Sequence, residues 1–427
     1  MAAQRFLGID FGTSGARACV IAGPGEIEEL TRISFTDLAP HDTAPTWRNA
    51  LLELIAGLPR GVRQHLAGLA VDATSGTLLA CNESLHPLHP PLLYHDSRAR
   101  AEARDIARVA GVDHPAASPS SGLAKALWLT REGGLPRPPL LLNQADWLTA
   151  LLSDLPGISD YHNALKLGFD PATAFWPEWV ASLIDIDCLP NAVPPGSPIG
   201  CISRSRAREL GLPPDLLVRA GTTDSIAAFL ATGAGALGDA VTSLGSTLVL
   251  KLVSSRRIDA GRLGVYSHWH GRHWLVGGAS NAGGAVLRQH FSDRQIADLS
   301  ARIDPTRDSG LDYDPLPSPG ERFPVNDPDL PPRLTPRPVE DAHFLHGLLE
   351  GLARVEATGY RTLADLGAGT PARILSTGGG AGNPVFNHIR ARQLNRAVTV
   401  APQQEAAYGA ALLAREGTTL FPGDIYG

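Results

Sequence analysis

An α/β class in two domains is what the sequence predicts, and three observations carry it. Strand-like apolar runs alternate with helically spaced ones along the chain. Two hairpin-like segments with small-residue tips open what read as separate halves. The length, 427 residues, exceeds a single ordinary domain at roughly 100–200 residues each.

Taken in order, residues 6–21 read as a β-hairpin: Phe6-Leu7-Gly8-Ile9 is strand-like, 10–15 is rich in Gly, Thr and Ser, and 16–21 is apolar again. Residues 45–58 have helical spacing through Trp47, Leu51, Leu54 and Ile55. A short apolar run, 66–71, ends in the polar turn Asp72-Ala73-Thr74-Ser75-Gly76-Thr77. Helical periodicity returns over 98–110 and 145–152. A second unit begins to take shape after Gly221-Thr222-Thr223-Asp224, with 225–231 as a capped helix. Residues 240–244 and 248–252 are strand-like around a tight turn, Gly245-Ser246-Thr247. This repeats the opening pattern and suggests an internal duplication.

Residues 304–338 are crowded with Pro and Asp and lack periodicity, which predicts a long ordered loop. An amphipathic helix follows over 344–359 through Leu345, Leu348, Leu349, Leu352 and Val355. A strand at 374–377 runs into Gly378-Gly379-Gly380. The next helix starts near Asn383-Pro384, where proline suits a first turn. Residues 405–415 form the last helix.

Composition excludes several classes. With 43% hydrophobic and 19% charged residues the chain is not globally disordered. A net charge of -6 argues against nucleic acid or an anionic membrane as partner. Any anionic ligand is therefore held by local geometry. Cys19, Cys81, Cys188 and Cys201 form no C-x-x-C pair, and four cysteines in this length make no disulfide scaffold. Without a leader pattern or a run of 18 apolar residues, a cytoplasmic location is expected.

Four constellations carry possible chemistry. In Gly8-Ile9-Asp10-Phe11-Gly12-Thr13-Ser14-Gly15 a carboxylate precedes a turn of unhindered N–H groups and hydroxyls, suited to hydrated Mg²⁺ and phosphate oxygens. A plain glycine turn is the ordinary reading, and the Asp-Phe-Gly triplet lacks the protein-kinase context. Gly245-Ser246-Thr247 is the matching turn of the second half. Gly378-Gly379-Gly380-Ala381-Gly382-Asn383 lets a flat ligand lie on bare backbone at a helix start, without the dinucleotide fingerprint. Asp224 reads as a helix-capping aspartate or as a general base. His268-Trp269-His270-Gly271-Arg272-His273 reads as a surface hairpin tip rather than a metal site. Ser75 lacks the G-x-S-x-G elbow, so its turn is expected to touch substrate rather than to attack it.

Together these segments resemble the FGGY carbohydrate kinases of the actin-like ATPase superfamily. Residues 8–14 look like that family's first phosphate motif, 245–247 like its second, and 378–383 with 405–411 like its adenosine motif. Tyr94-His95-Asp96-Ser97-Arg98 is similar to its aromatic-x-Asp-x-Arg segment, 160–167 to its Asp-x-x-Asn-Ala stretch, and 320–324 to its Gly-Glu-Arg-x-Pro loop. Residues 10–18, 72–77, 221–231 and 311–324 are closest to the short cyanobacterial and plant branch of D-ribulose or xylulose-like kinases. Gly-Ser-Thr stands where the family usually has Gly-Thr-Ser, and the chain is shorter than most members.

The resemblance implies two actin-like (ribonuclease H-like) domains with an interdomain cleft. One comprises residues 1–231 with 405–427 returning to it, the other 232–404, hinged near 229–235. It implies ATP-dependent phosphorylation of a free ketopentose, D-ribulose before D-xylulose, with ATP and Mg²⁺ as cofactors. Asp224 would be the base. Asp10 would orient Mg²⁺ through water and touch the sugar, which Asp72 and Ser75 would also bind. Gly12, Thr13, Ser14, Gly245, Ser246 and Thr247 would hold the β- and γ-phosphates. Gly379, Gly380 and Asn383 would line the nucleotide site, with Phe386 beside the adenine. Another sugar or polyol acceptor, an actin-like ATPase and a non-catalytic sugar sensor are the alternatives; oligomeric state is left open.

Overall fold

The computed structural model describes residues 4–35, 43–135 and 139–423. Met1-Ala2-Ala3, on which the reading of the N-terminus partly rests, and residues 424–427 lie outside the described residues. The chain divides into two compact units, Met1–Ala231 with Glu405–Gly427, and Thr232–Gln404.

In the first unit, β1 (Arg5–Phe11), β2 (Gly15–Ala22) and β3 (Glu26–Ser34) form an antiparallel meander. β4 (Leu66–Ala73) lies parallel to β1 on its other side. With β5 (Pro198–Cys201) and β6 (Leu217–Arg219) the order is β3-β2-β1-β4-β6-β5, and the short β7 (Thr222–Thr223) also pairs with β4. Central β1 and β4 are apolar and buried, whereas edge strand β3 alternates exposed and half-buried positions. The sequence reading missed β3 because its alternation is charged rather than apolar.

One sheet face packs on the helix Ala44–Gly57 through Trp47, Leu51, Leu54 and Ile55, each such burial worth about 1.5–3 kcal/mol. Thr43 caps that helix by accepting from the Thr46 N–H, and Pro45 sits in its first turn. The other face receives the C-terminal helix Ala406–Glu416 against Cys19 and Ile21. That approach needs Gly8, where a Cβ would lie 2.1 Å from the Ala407 carbonyl oxygen.

The second unit repeats the plan. β8 (Asp239–Leu244) and β9 (Leu248–Ser254) form the hairpin, followed by β10 (Tyr266–His270) and β11 (His273–Ser280). β12 (Arg373–Thr377) lies parallel to β8, β13 (Val398–Val400) lies parallel to β12, and the order is β10-β11-β9-β8-β12-β13. In both sheets the first hairpin strand is central, flanked by its partner and by a parallel strand, as the suggested duplication requires. The helix Asp341–Asp365 covers the sheet with Leu345, Leu348, Leu349 and Leu352. Beneath it a wholly buried Arg390–Glu356 ion pair also holds Thr242 and Ser376, locking two helices to β8 and β12. Residues 304–338 carry only the isolated bridges Asp314–Arg333 and Glu321–Asp327, so the loop expectation holds.

Two expectations are corrected. The polar turn after β4 starts at Thr74, because Asp72 and Ala73 continue the strand beside β1. The histidine segment is a hairpin tip at Gly271, but His268 and His270 are buried because β10 is a full member of the sheet. Burial pushes the His270 ring down to about 4, and its Nε2 lies 3.3 Å from the Gly235 carbonyl. No group of three or more His, Cys, Asp or Glu is placed to hold a metal among the described residues. The four cysteines are free thiols.

Candidate active site

Strand register assembles one candidate cluster in the first unit. β2, β1, β4 and β7 bring Arg17, Asp10, Asp72 and Thr222 onto one rung, so their side chains share a sheet face. Arg17 Nη1 donates to Asp10 Oδ2 at 3.2 Å, and its Nε faces Glu405 at 3.5 Å. Asp72 is completely covered, and no donor among the described residues reaches either of its oxygens. Burial, then the charges of Asp10 and Asp224, hold its carboxyl well above the usual range. Burial also raises Asp10, although a hydrogen bond from Asp72 and the Arg17 charge pull it back down. Of the two carboxyls, Asp72 is the one held further above the usual range. Asp72 thus lies beside Asp10 on the neighbouring strand with none of its surface exposed.

The turns above this rung are polar. Gly12 N–H donates to the Gly15 carbonyl at 3.0 Å, leaving Thr13 and Ser14 exposed. Asp224 opens the helix Asp224–Ala231, half-buried, its Oδ1 accepting from the Ser225 N–H at 2.6 Å. After β4, Thr74 bonds Thr77 and Gln144, and Gly76 takes a φ of 85°. The Ser75 hydroxyl is covered and has no partner among the described residues.

Sequence reasoning missed Lys125. Its ammonium, wholly buried, donates to the carbonyls of Gly76 at 2.7 Å and Leu93 at 2.6 Å. It thereby ties the 74–77 turn to the loop carrying Tyr94, Asp96 and Arg98. A lone lysine among Leu123, Ala124, Ala126 and Leu127 was the signal available. His162 was also missed; its Nδ1 lies 2.7 Å from Thr222 Oγ1, both buried.

A separate group of candidate residues lies in the second unit. A cavity of about 530 Å³ is lined by Gly245, Gly379, Gly380, Asn383 and Phe386, together with Leu244, Leu287, Arg288, Ile296, Ala297 and Ser300. Its first five residues were expected from sequence, and the others belong to helices Gly284–His290 and Asp293–Ser300 and to β8, which periodicity did not single out for the site. Asn383 caps the helix Pro384–Leu394, accepting from the Val385 and Phe386 N–H groups, and its Nδ2 donates to Ser300 Oγ at 2.9 Å. Phe386 is nearly covered and offers the cavity only part of its ring. Ser246 and Thr247 lie on the β8–β9 turn and do not line this cavity. Apolar walls with bare glycine backbone at a helix start suit a flat, partly anionic ligand.

Comparison with known proteins points to a carbohydrate kinase. Residues 240–415 match the C-terminal domain of the FGGY family of carbohydrate kinases. The chain is 23% identical over 454 aligned residues to a gluconokinase of Bacillus licheniformis, covering 95% of this chain and 86% of the relative. It is 24% identical over 457 residues to a xylulose kinase of Lactococcus lactis, covering 97% and 88%. The crystal structure of a gluconate kinase from Lactobacillus acidophilus shares the fold at a TM-score of 0.85, with 17% identity and 99% and 91% coverage. The match to the FGGY family covers the second unit, and the relatives that span nearly the whole chain are themselves sugar kinases by name.

Proposed function

We propose that the chain transfers the γ-phosphoryl group of ATP to a terminal hydroxyl of a free ketopentose, D-ribulose first and D-xylulose second. The observation that carries this reading is the acid constellation Asp10, Asp72 and Asp224 beside a turn whose Ser75 hydroxyl is buried and unsatisfied among the described residues. Phosphoryl transfer needs positioning, charge neutralisation and removal of one proton. Asp224 accepts the proton of the acceptor hydroxyl, and Ser75 and Asp10 bind sugar hydroxyls. Gly12, Thr13 and Ser14, with Gly245, Ser246 and Thr247, hold the β- and γ-phosphates. Gly379, Gly380 and Asn383 hold the nucleoside, with Phe386 beside the base.

Asp10, beside an Asp72 carboxyl that no donor reaches among the described residues, fits a hydrated Mg²⁺, which when bound neutralises phosphate charge. Asp10 would hold that ion through water. The ribulose preference rests on the resemblance of segments 72–77 and 221–231; D-xylulose is favoured by the names of several relatives, and gluconate by others. No helix among the described residues is long and apolar enough to cross a membrane.

ADP release measured against D-ribulose, D-xylulose, gluconate and glycerol tests the proposal. The highest kcat/KM is expected for a pentulose. Turnover of gluconate or glycerol with none of either pentulose would overturn it.

A further inference from the structure

Glu321, in the long 304–338 loop, is buried and accepts four hydrogen bonds. Its Oε2 takes the Ser280 hydroxyl at 2.5 Å, and its Oε1 takes the N–H groups of Asn281, Arg322 and Phe323 at 2.7, 2.8 and 3.4 Å. Asn281 Nδ2 returns a bond to the Gly320 carbonyl at 2.9 Å. One carboxylate thus fixes the end of β11. From there the chain passes at once beneath the β8–β9 turn: Gly284 N–H donates to the Gly245 carbonyl at 2.8 Å and Ala285 N–H to the Ser246 carbonyl at 3.1 Å. The approach is so close that a Cβ at Gly283 would lie 2.5 Å from the Ser246 carbonyl oxygen.

Peptide planarity gives this anchoring a direction. In a trans peptide the C=O of one residue and the N–H of the next point opposite ways. Fixing the Gly245 and Ser246 carbonyls onto residues 284–285 therefore aims the Ser246 and Thr247 N–H groups to the other side of the turn. Successive amides so presented form an anion-binding concavity.

We propose that Glu321 is a positioning residue for the triphosphate: acting through Ser280, Asn281 and the 283–285 backbone, it holds the Ser246 and Thr247 amides in the orientation that binds the β- and γ-phosphates. The inference rests on reading 245–247 as a phosphate turn. It assigns a role to the Gly-Glu-Arg-x-Pro loop, whose residues do not line the cavity of about 530 Å³ in the second unit.

The test compares dissociation constants of ATP and adenosine, by calorimetry, with steady-state KM values for the full chain and for E321Q, S280A and S246A/T247A. Glutamine keeps the shape but cannot accept from the hydroxyl and the amides together. E321Q is expected to weaken ATP by on the order of tenfold, the loss of a charge-assisted hydrogen bond, with adenosine affinity and sugar KM unchanged. S280A, which removes one donor only, is expected to weaken ATP by roughly fivefold and serves if E321Q does not fold. Equal weakening of ATP and adenosine would reveal a merely structural role and overturn the inference. ATP affinity unchanged in E321Q and S280A but weakened in S246A/T247A overturns it while sparing the phosphate turn. ATP affinity unchanged in all three overturns the inference and removes the Ser246 and Thr247 side chains from phosphate binding.

Discussion

Asp72 sits directly across from Asp10 in the parallel β1–β4 register, and burial raises both carboxyls, Asp72 further than Asp10. A neutral Asp72 can donate to Asp10, and an asparagine amide can do the same. Asp72→Asn is therefore expected to keep kcat within a few-fold, whereas Asp10→Ala is expected to lose on the order of 10²-fold or more with its Mg²⁺ dependence. Steady-state rates across a magnesium titration check both; unchanged metal dependence in Asp10→Ala would remove that residue from the metal site.

Asp224→Asn keeps the helix start but cannot take a proton. Its kcat is expected to fall by roughly 10²–10⁴ while ATP affinity stays at the wild-type value. Near wild-type turnover in a single-turnover assay would show that another group is the base.

Lys125→Met removes the tie between Gly76 and Leu93 and leaves two buried carbonyls without donors. Burial, then the nearby Lys166 charge, pushes the Lys125 ammonium down to about 7, so part of the loss is offset by relief of desolvation. A net destabilisation of about 1–3 kcal/mol is expected in urea unfolding. The KM for sugar should rise with the KM for ATP unmoved. A rise in both would mean that Lys125 does no more than hold the fold.

Gly409 lets the C-terminal helix touch the helix that begins at Asp224: a Cβ there would lie 1.8 Å from the Ala227 carbonyl oxygen. Backbone cannot yield cheaply. Gly409→Ala is expected to cost about 1–3 kcal/mol or more and to lower kcat by shifting Asp224. A variant with wild-type melting temperature and kcat would show that the two helices are free to separate.

Asp146 and Asp160 are buried acids. Burial, then the Asp160 charge, pushes Asp146 up to about 8, and burial pushes Asp160 up to about 6. The native state binds protons that an unfolded chain releases near 3.8. Their contribution is therefore complete below that value and is lost as pH rises through about 6 and then about 8. Urea midpoints should fall across this window, and Asp146→Asn should flatten the upper part. An equally steep profile in the variant would assign the slope to other groups.

Much of the fold was legible before any coordinates. Gly12-Thr13-Ser14 and Gly245-Ser246-Thr247 announce hairpin tips because small residues with hydroxyls suit tight turns. Asn383-Pro384 announces a helix start, and the glycines before it a bare surface. Asp72 was noticed but misplaced: the carboxylate looks like part of a turn until β4 is set against β1. Lys125 was passed over because burial of a lysine depends on carbonyls 32 and 49 positions away in sequence. Glu321 was seen as a motif without a task, since its partners Ser280 and Asn281 lie across a loop with no periodicity.

By itself the sequence determined where strands, turns and helix caps fall, because those depend on side-chain period, glycine freedom and hydrogen bonds between near neighbours. Only the tertiary structure decided that Asp72 stands beside Asp10, that Lys125 ties Gly76 to Leu93 and that Glu321 accepts from Ser280 and Asn281. Those outcomes depend on strand register and on backbones meeting at van der Waals distance. Neither is set until distant segments pack together and exclude water.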